Sequence, residues 1–261
     1  MHHTVLIPGG HNGTMPPALT VTFAGSGDAF GSGGRHQACI HLQPAEGSPV
    51  LLDCGATSLT ALKQLGLNPA GIAAVFVSHL HGDHFAGLPF LILDAQFSRR
   101  TAPLAVVGPP GTAKRLADTM ECLFPGSSTT ARRFDVTVRE LAPGADVTTC
   151  GTTARAWAAD HPSGAPALIL RLTLAGKTIA YTGDTAWTNA IASAAADADL
   201  LIAEAYYRNK DIPYHLRLAD LEAHRDRLTP RRVIITHMST DMLGSHSPPF
   251  EQASDGLIVG L

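Results

Sequence analysis

The sequence predicts an α/β fold in which mixed β-sheets are covered by helices, and three observations lead there. Short runs rich in Val, Leu, Ile and Thr, bounded by Gly, Pro, Asp or Asn, recur along the chain with helix-period segments between some of them. These runs come both in hairpin-like succession and singly between helices, so antiparallel and parallel neighbours are mixed. The 261 residues are 45% hydrophobic and 16% charged. A chain of that size buries most of its apolar surface without cross-links, and charge-driven disorder is excluded.

Residues 1–17 are rich in Gly, Pro and His with no strand or helix period and read as a flexible leader. In it His2, His3 and His11 are surface residues and Met15 is an alternative start. Strands follow at 20–23, 38–42 and 50–53, the last ending in Asp53. A helix is predicted over 58–65, where Leu59, Leu62 and Leu65 share a face, and then a strand at 74–78 and a helix at 85–96. Strand 104–107 leads to helix 112–124, and strands 136–141, 153–157, 168–174 and 178–181 come next. Helix 187–196, strand 200–203, helix 216–228, strand 233–236 and a helix over 250–259 complete the series. With no Pro/Ser linker and no repeat after residue 17, residues 18–261 read as one domain.

The 19 basic and 22 acidic residues leave a net charge of −3, which argues against nucleic-acid binding through a broad positive field. No apolar run reaches the ~20 residues of a membrane span, and residues 1–8 lack the basic start and apolar core of a secretion signal. A cytoplasmic protein without a membrane partner is expected. Cys39, Cys54, Cys122 and Cys150 are scattered, as buried thiols would be, and form no Cys-x-x-Cys pair.

Two glycine-rich stretches invite a phosphate-binding reading. In 108–115, Ala113 precedes Lys114 and Arg115 follows it, where a phosphate loop needs Gly and Ser/Thr. In Gly25-Ser26-Gly27-Asp28-Ala29-Phe30-Gly31 the third glycine comes one residue late for a dinucleotide fingerprint, and a tight turn allowing close backbone approach is expected.

The 13 histidines are the unusual count. Strand 74–78 runs into His79-Leu80-His81-Gly82-Asp83-His84. In extended chain His79, His81 and Asp83 share one side, and the turn into the next helix swings His84 beside them. Imidazoles and carboxylates suit Zn²⁺, with Mn²⁺ or Fe as alternatives. Further ligand-type residues stand just past later strands: His161 after 153–157, Asp184 after 178–181 and His237 after 233–236.

This series, His79-x-His81-x-Asp83-His84 followed by His161, Asp184 and His237, resembles the signature of the metallo-β-lactamase superfamily from about residue 20 onward. The resemblance implies a four-layer αβ/βα sandwich of two mixed sheets with a dinuclear site at one edge, taken here as two Zn²⁺ per chain. It places His79, His81 and His161 on the first metal and Asp83, His84 and His237 on the second, with Asp184 bridging. Asp rather than Cys at 184, the Gly25-Ser26-Gly27 turn, and Glu204-Ala205 ahead of His215 resemble the ribonuclease Z-like branch, which also holds phosphodiesterases and arylsulfatase-type enzymes. In that branch a histidine some twenty residues before the last ligand is catalytic, and His215 stands 22 positions before His237.

The resemblance thus implies a phosphodiesterase in which a metal-bridging hydroxide, oriented by Asp83, attacks phosphorus while His215 assists the leaving group, with Glu204 a candidate orienter of His215. Lactone, β-lactam or sulfate-ester hydrolysis is the alternative chemistry, and a non-catalytic metal- or ligand-binding protein is the alternative of another class. Transfer-RNA-processing members carry a basic arm between the residues matching His161 and Asp184. Here these are only 23 positions apart, so a small phosphoester substrate is expected and transfer RNA is not. The clustered cysteines of the arm-less cyclic phosphodiesterases are also missing. A homodimer is expected by analogy with the branch, and loops 97–103, 124–133 and 238–249 are expected to wall the pocket. The arginine pairs at 99–100, 132–133 and 231–232 are expected at the solvated surface, and His36, His41, His224 and His246 carry no assigned role.

Overall fold

The computed structural model describes residues 16–244 and 249–261. The first half of the chain forms β1 (Leu19–Gly25), β2 (Cys39–Pro44), β3 (Val50–Leu52), α1 (Ser58–Gln64), β4 (Ala74–Phe76), α2 (Gly82–Phe85), α3 (Leu88–Phe97), β5 (Leu104–Gly108), α4 (Thr112–Leu123) and β6 (Val136–Glu140). The second half forms β7 (Asp146–Thr149), β8 (Thr152–Ala158), β9 (Leu168–Leu174), β10 (Lys177–Tyr181), α5 (Asn189–Ala195), β11 (Leu200–Glu204), α6 (Leu218–Ala223), β12 (Val233–Thr236), α7 (Thr240–Leu243), β13 (Glu251–Gln252) and β14 (Ile258–Gly260). Two seven-stranded sheets result, in the orders β14-β1-β2-β3-β4-β5-β6 and β13-β12-β11-β10-β9-β8-β7. In each, an antiparallel portion joins a parallel one, at β3–β4 in the first and β10–β11 in the second.

Period-2 alternation along the strands builds four layers. Leu168, Leu170 and Leu172 of β9 face a core shared with Phe23, Ile40 and Phe76 of the first sheet. Ile169, between them, faces outward into a cluster with Ile191 and Ala194 of α5 and Leu221 of α6. On the other flank Leu51 and Val75 pack under Leu62 of α1, Leu91 of α3 and Leu116 of α4. The expected αβ/βα sandwich of two mixed sheets is therefore present.

Four local expectations change. The helix predicted over 85–96 is broken into α2 and α3 at Gly87, whose N–H donates to the Cys54 carbonyl at 2.8 Å. A Cβ there would lie 2.2 Å from the Gly55 oxygen, so the chain is held against the loop after β3, and Pro89 then restarts the helix. The segment 250–259 is two strands, not a helix: Gly256 has φ +84°, and β13 and β14 close opposite sheets beside β12 and β1. Strand β7 went unread because Asp146-Val-Thr-Thr is mostly polar; it pairs with β8 across Cys150 and Gly151, both at positive φ as a tight hairpin requires. Of the cysteines, Cys39 and Cys54 are buried, but Cys122 and Cys150 are exposed.

The leader expectation concerning residues 1–15 and the unassigned His246 lie outside the described residues. No helix among the described residues is long and apolar enough to cross a membrane. His41 of β2 is buried, and its Nδ1 has no hydrogen-bond partner. Burial pushes its pKa down to about 4, so between pH 6.5 and 4 the unfolded chain takes up a proton that the folded one does not. Stability is then complete above the unfolded pKa and falls with pH, by about 2 kcal/mol at pH 5 from this group alone. Urea unfolding of chelator-treated protein at pH 7 and pH 5 should show a smaller acid loss in His41→Leu than in the parent. An equal loss would contradict the assignment.

Candidate metal centre

Each ligand-type residue stands just beyond the carboxyl end of a strand, on one rim of the paired sheets: His79 after β4, His161 after β8, Asp184 after β10 and His237 after β12. Asp83 and His84 lie in α2 rather than in extended chain, so the predicted alternation holds for His79 and His81 only. The helix instead turns Asp83 and His84 toward the second sheet. Three groups form, in each of which the ligand atoms lie within 4.8 Å of one another: His79, His81 and His161; Asp83, His84, Asp184 and His237; Asp184, Glu204, His215 and His237.

Asp184 is the hub. Its oxygens lie 3.2 Å from His84 Nε2, 3.5 Å from His237 Nε2 and 3.9 Å from His79 Nε2. His84 Nε2 and His237 Nε2 also face Asp83 Oδ2 at 3.3 and 3.2 Å, and His81 Nδ1 lies 3.0 Å from His161 Nε2. Outer partners fix the rings. His161 Nδ1–H donates to the Tyr214 carbonyl at 3.0 Å and His84 Nδ1–H to Asp53 Oδ2 at 2.6 Å, so in both the Nε2 lone pair is turned into the site. His79 Nδ1 meets Ser78 Oγ at 3.1 Å.

The donor set fits a pair of divalent cations. His79 Nε2, His84 Nε2 and Asp184 Oδ1 are buried and crowd together without a hydrogen bond that satisfies them, which costs on the order of 1–3 kcal/mol for an unsatisfied buried polar group, and imidazole with carboxylate is a donor set for Zn²⁺ and similar ions. Charge supports this. Burial and the neighbouring His84 hold the His79 imidazole far below its ordinary pKa, hence neutral. Burial alone would raise Asp184, but His237 and His84 outweigh it and keep the carboxylate ionised. Burial opposes charge on His84 and His237, but the facing carboxylates, Asp184 first, outweigh it and hold there a proton that a bound cation would displace.

His215 sits at the edge of the cluster, half-buried, with Nδ1 on Glu204 Oε1. The other Glu204 oxygen accepts the N–H groups of Thr185 at 3.1 Å and Leu216 at 3.2 Å, so the orienting carboxylate is itself locked. Burial lowers the His215 pKa, but the Glu204 hydrogen bond and charge more than offset this and raise it. The Gly25-Ser26-Gly27 turn backs the site closely: the Ser26 carbonyl accepts from His237 N at 3.2 Å, and a Cβ on Gly25 would lie 1.9 Å from the Gln37 oxygen.

Sequence reasoning missed Asp53. It is fully buried and accepts from Ser78 N at 2.7 Å, Ser78 Oγ at 2.8 Å, Tyr181 Oη at 2.8 Å and His84 Nδ1. The signal was available, since Asp53 also follows an apolar strand. Asp53→Asn should keep the fold's hydrogen bonds in part yet weaken metal binding by about 10–100-fold, as for other partners of ligating histidines; competition with a chelating dye measures it.

A cavity of about 230 Å³ opens over the cluster, walled by Ala29, Phe30, Tyr206 and Ile212. Among the described residues the loops 97–103, 124–133 and 238–249 supply none of its lining, contrary to expectation; the chain instead approaches from the turn after β1 and the loop after β11. His215 and Ile212 also line a second hollow of about 420 Å³, shared with Trp187, Tyr214 and Arg217. Arg100 is buried, not solvated, and donates to the carbonyls of Ala70, Ala102 and Pro103.

Among known proteins, Ribonuclease Z of Methanosarcina acetivorans is 24% identical over 85% of this chain and 88% of its own length. Ribonuclease Z of Natronomonas pharaonis is 26% identical over 91% and 92%. The solved structure of human tRNase Z, short form, superposes with a TM-score of 0.75 at 25% identity, covering 92% of this chain and 98% of that one. A diphosphatase of the PhnP family shares the fold, with a TM-score of 0.73 at 19% identity over 93% and 98%. These names overturn the expectation that transfer RNA is not a partner. Net charge averages over the whole surface and does not report the field at a cation-binding cleft, and the short 161–184 interval, filled by the β9–β10 hairpin, removes one means of holding RNA without removing the others. The Beta-lactamase superfamily domain model matches residues 49–238, an interval that contains Asp53, all seven ligand-type residues, Glu204 and His215, and this chain belongs to that superfamily as a hydrolase.

Proposed function

We propose that the protein is a dinuclear metal-dependent phosphodiesterase. The observation that carries this is the Glu204–His215 pair set against the Asp184 hub: an imidazole held by a carboxylate beside the ligand-type cluster and bordering a second hollow, where it would serve as proton donor to a leaving group. His79, His81 and His161 would hold one ion and Asp83, His84 and His237 the other, with Asp184 between them. When bound, two divalent ions supply Lewis acidity to the phosphoryl oxygens and lower the pKa of the attacking water.

The chain's own groups do the rest. Asp83 turns one carboxylate oxygen to His84 and His237 and leaves the other to orient water. Glu204 keeps a proton on His215 Nδ1 and supports the charged imidazolium, so that the ring's other nitrogen gives its proton to the departing alkoxide. The ribonuclease Z names of the relatives support a phosphodiester over a carbonyl or sulfate ester, and an RNA linkage is within the proposal.

The test is metal analysis together with turnover of bis(4-nitrophenyl) phosphate and of a transfer RNA carrying a 3′ extension, with a lactone, a β-lactam and an aryl sulfate as controls. Two metal equivalents and phosphodiester cleavage are expected. Cleavage of only a control ester by metal-loaded protein would refute the proposal.

A further inference from the structure

We infer that Phe30 is a stacking platform for an aromatic substituent, a nucleobase or an aryl ring, on the ester arm that the substrate keeps after cleavage. The inference rests on the phosphodiesterase function proposed above and extends it to the class of substrate.

Phe30 is 85% exposed although it lines the catalytic cavity. The chain around it is fastened. The carboxylate of Asp28, itself buried, accepts from Phe30 N at 3.2 Å, Ser32 N at 2.8 Å and Ser32 Oγ at 2.7 Å, and the Ala29 carbonyl accepts from Gln37 Nε2 at 3.0 Å. The segment is thus held in a conformation that keeps a phenyl ring in water beside the metal cluster, forgoing the burial that apolar side chains ordinarily gain.

The cavity's charged and metal-ligating groups gather at its floor, where a phosphoryl group would sit. Its walls, Ala29, Phe30, Tyr206 and Ile212, offer no charge to the rest of a substrate. Tyr206 is occupied: its ring leans on His215 and His237, with centroids 5.2 and 5.9 Å away. Among the described residues Phe30 has no such ring neighbour. Direction follows from His215, which lines both this cavity and the second hollow. The arm protonated by His215 departs into that hollow, and the arm that stays on phosphorus lies toward Phe30. An aromatic face recognises any base or aryl ring, because each presents a π-face.

The test compares bis(4-nitrophenyl) phosphate with methyl 4-nitrophenyl phosphate, which share a leaving group and differ only in the retained arm. In Phe30→Ala the ratio of their kcat/KM values should fall about tenfold through KM, and Phe30→Trp should restore it. An unchanged ratio would overturn the inference. A second measurement needs no turnover: calorimetric binding of adenosine 5′-monophosphate and methyl phosphate to metal-loaded protein. Phe30→Ala should weaken the nucleotide about tenfold relative to methyl phosphate. Nucleotide binding that depends on Phe30 in a protein that cleaves neither diester would refute the phosphodiesterase and leave the platform standing. Nucleotide binding indifferent to Phe30 would refute the platform.

Discussion

Asp184→Ala should retain fewer than two metal equivalents per chain after dialysis and lose on the order of 10³-fold or more in turnover, several kcal/mol of transition-state stabilisation. Among the described residues no other carboxylate reaches as many of the ligand-type histidines: it lies within 4 Å of His79, His84 and His237. It is also the carboxylate that does most to raise the pKa of the buried His84 and His237. Without it, two buried imidazoles lose their main counter-charge and any cation pair loses its shared ligand. Metal analysis of protein shown by circular dichroism to be folded is the measurement. Two retained equivalents would sink the bridging role.

His215→Ala should separate chemistry from metal binding. Metal content should stay at two equivalents while turnover falls by about 10²–10⁴-fold, the range for a positioned proton donor. A pH profile sharpens the test. His215 acts in its protonated form, and Glu204 raises its pKa, so activity should hold above the ordinary histidine range and decline as pH rises through the raised value. That alkaline decline should vanish in His215→Ala and move to lower pH in Glu204→Gln. A parallel profile in all three proteins would remove His215 from proton transfer.

Much of the candidate site was legible because six consecutive residues carry four of its ligand-type side chains, and three more stand at the same place relative to a strand. Asp53 obeys the same rule and was passed over, because a lone aspartate after Val-Leu-Leu reads equally as the end of a strand. Only the fold brings Ser78, Tyr181 and His84 onto it. Glu204 was legible as a candidate orienter of His215, and the loop after β11 returns so that the two side chains meet; its second oxygen's hold on Thr185 N and Leu216 N was visible only in the fold. Phe30 was hidden for the opposite reason: an exposed phenylalanine has no periodic signature. The helix predicted over 250–259 failed where tertiary pairing overrode local pattern, with β12 and β1 each offering an open edge.

Those two closing strands constrain how the molecule is made. Strands β1 to β6 are contiguous in sequence and look like an independent first half, yet β1 is covered on its outer side by β14, across more than two hundred residues. Asp255, just before β14, also clamps Ser26 N at 2.9 Å and His36 N at 2.7 Å, the two ends of the turn that carries Phe30 and backs His237. A nascent chain that has completed only β1 to β6 therefore has a bare edge strand open to wrong partners and an unfastened active-site turn. Assembly of the hydrolytic site is a late, long-range event in folding, slow in the manner of high-contact-order topologies, and the cell would meet this protein's metal-binding capacity only after both sheets have closed.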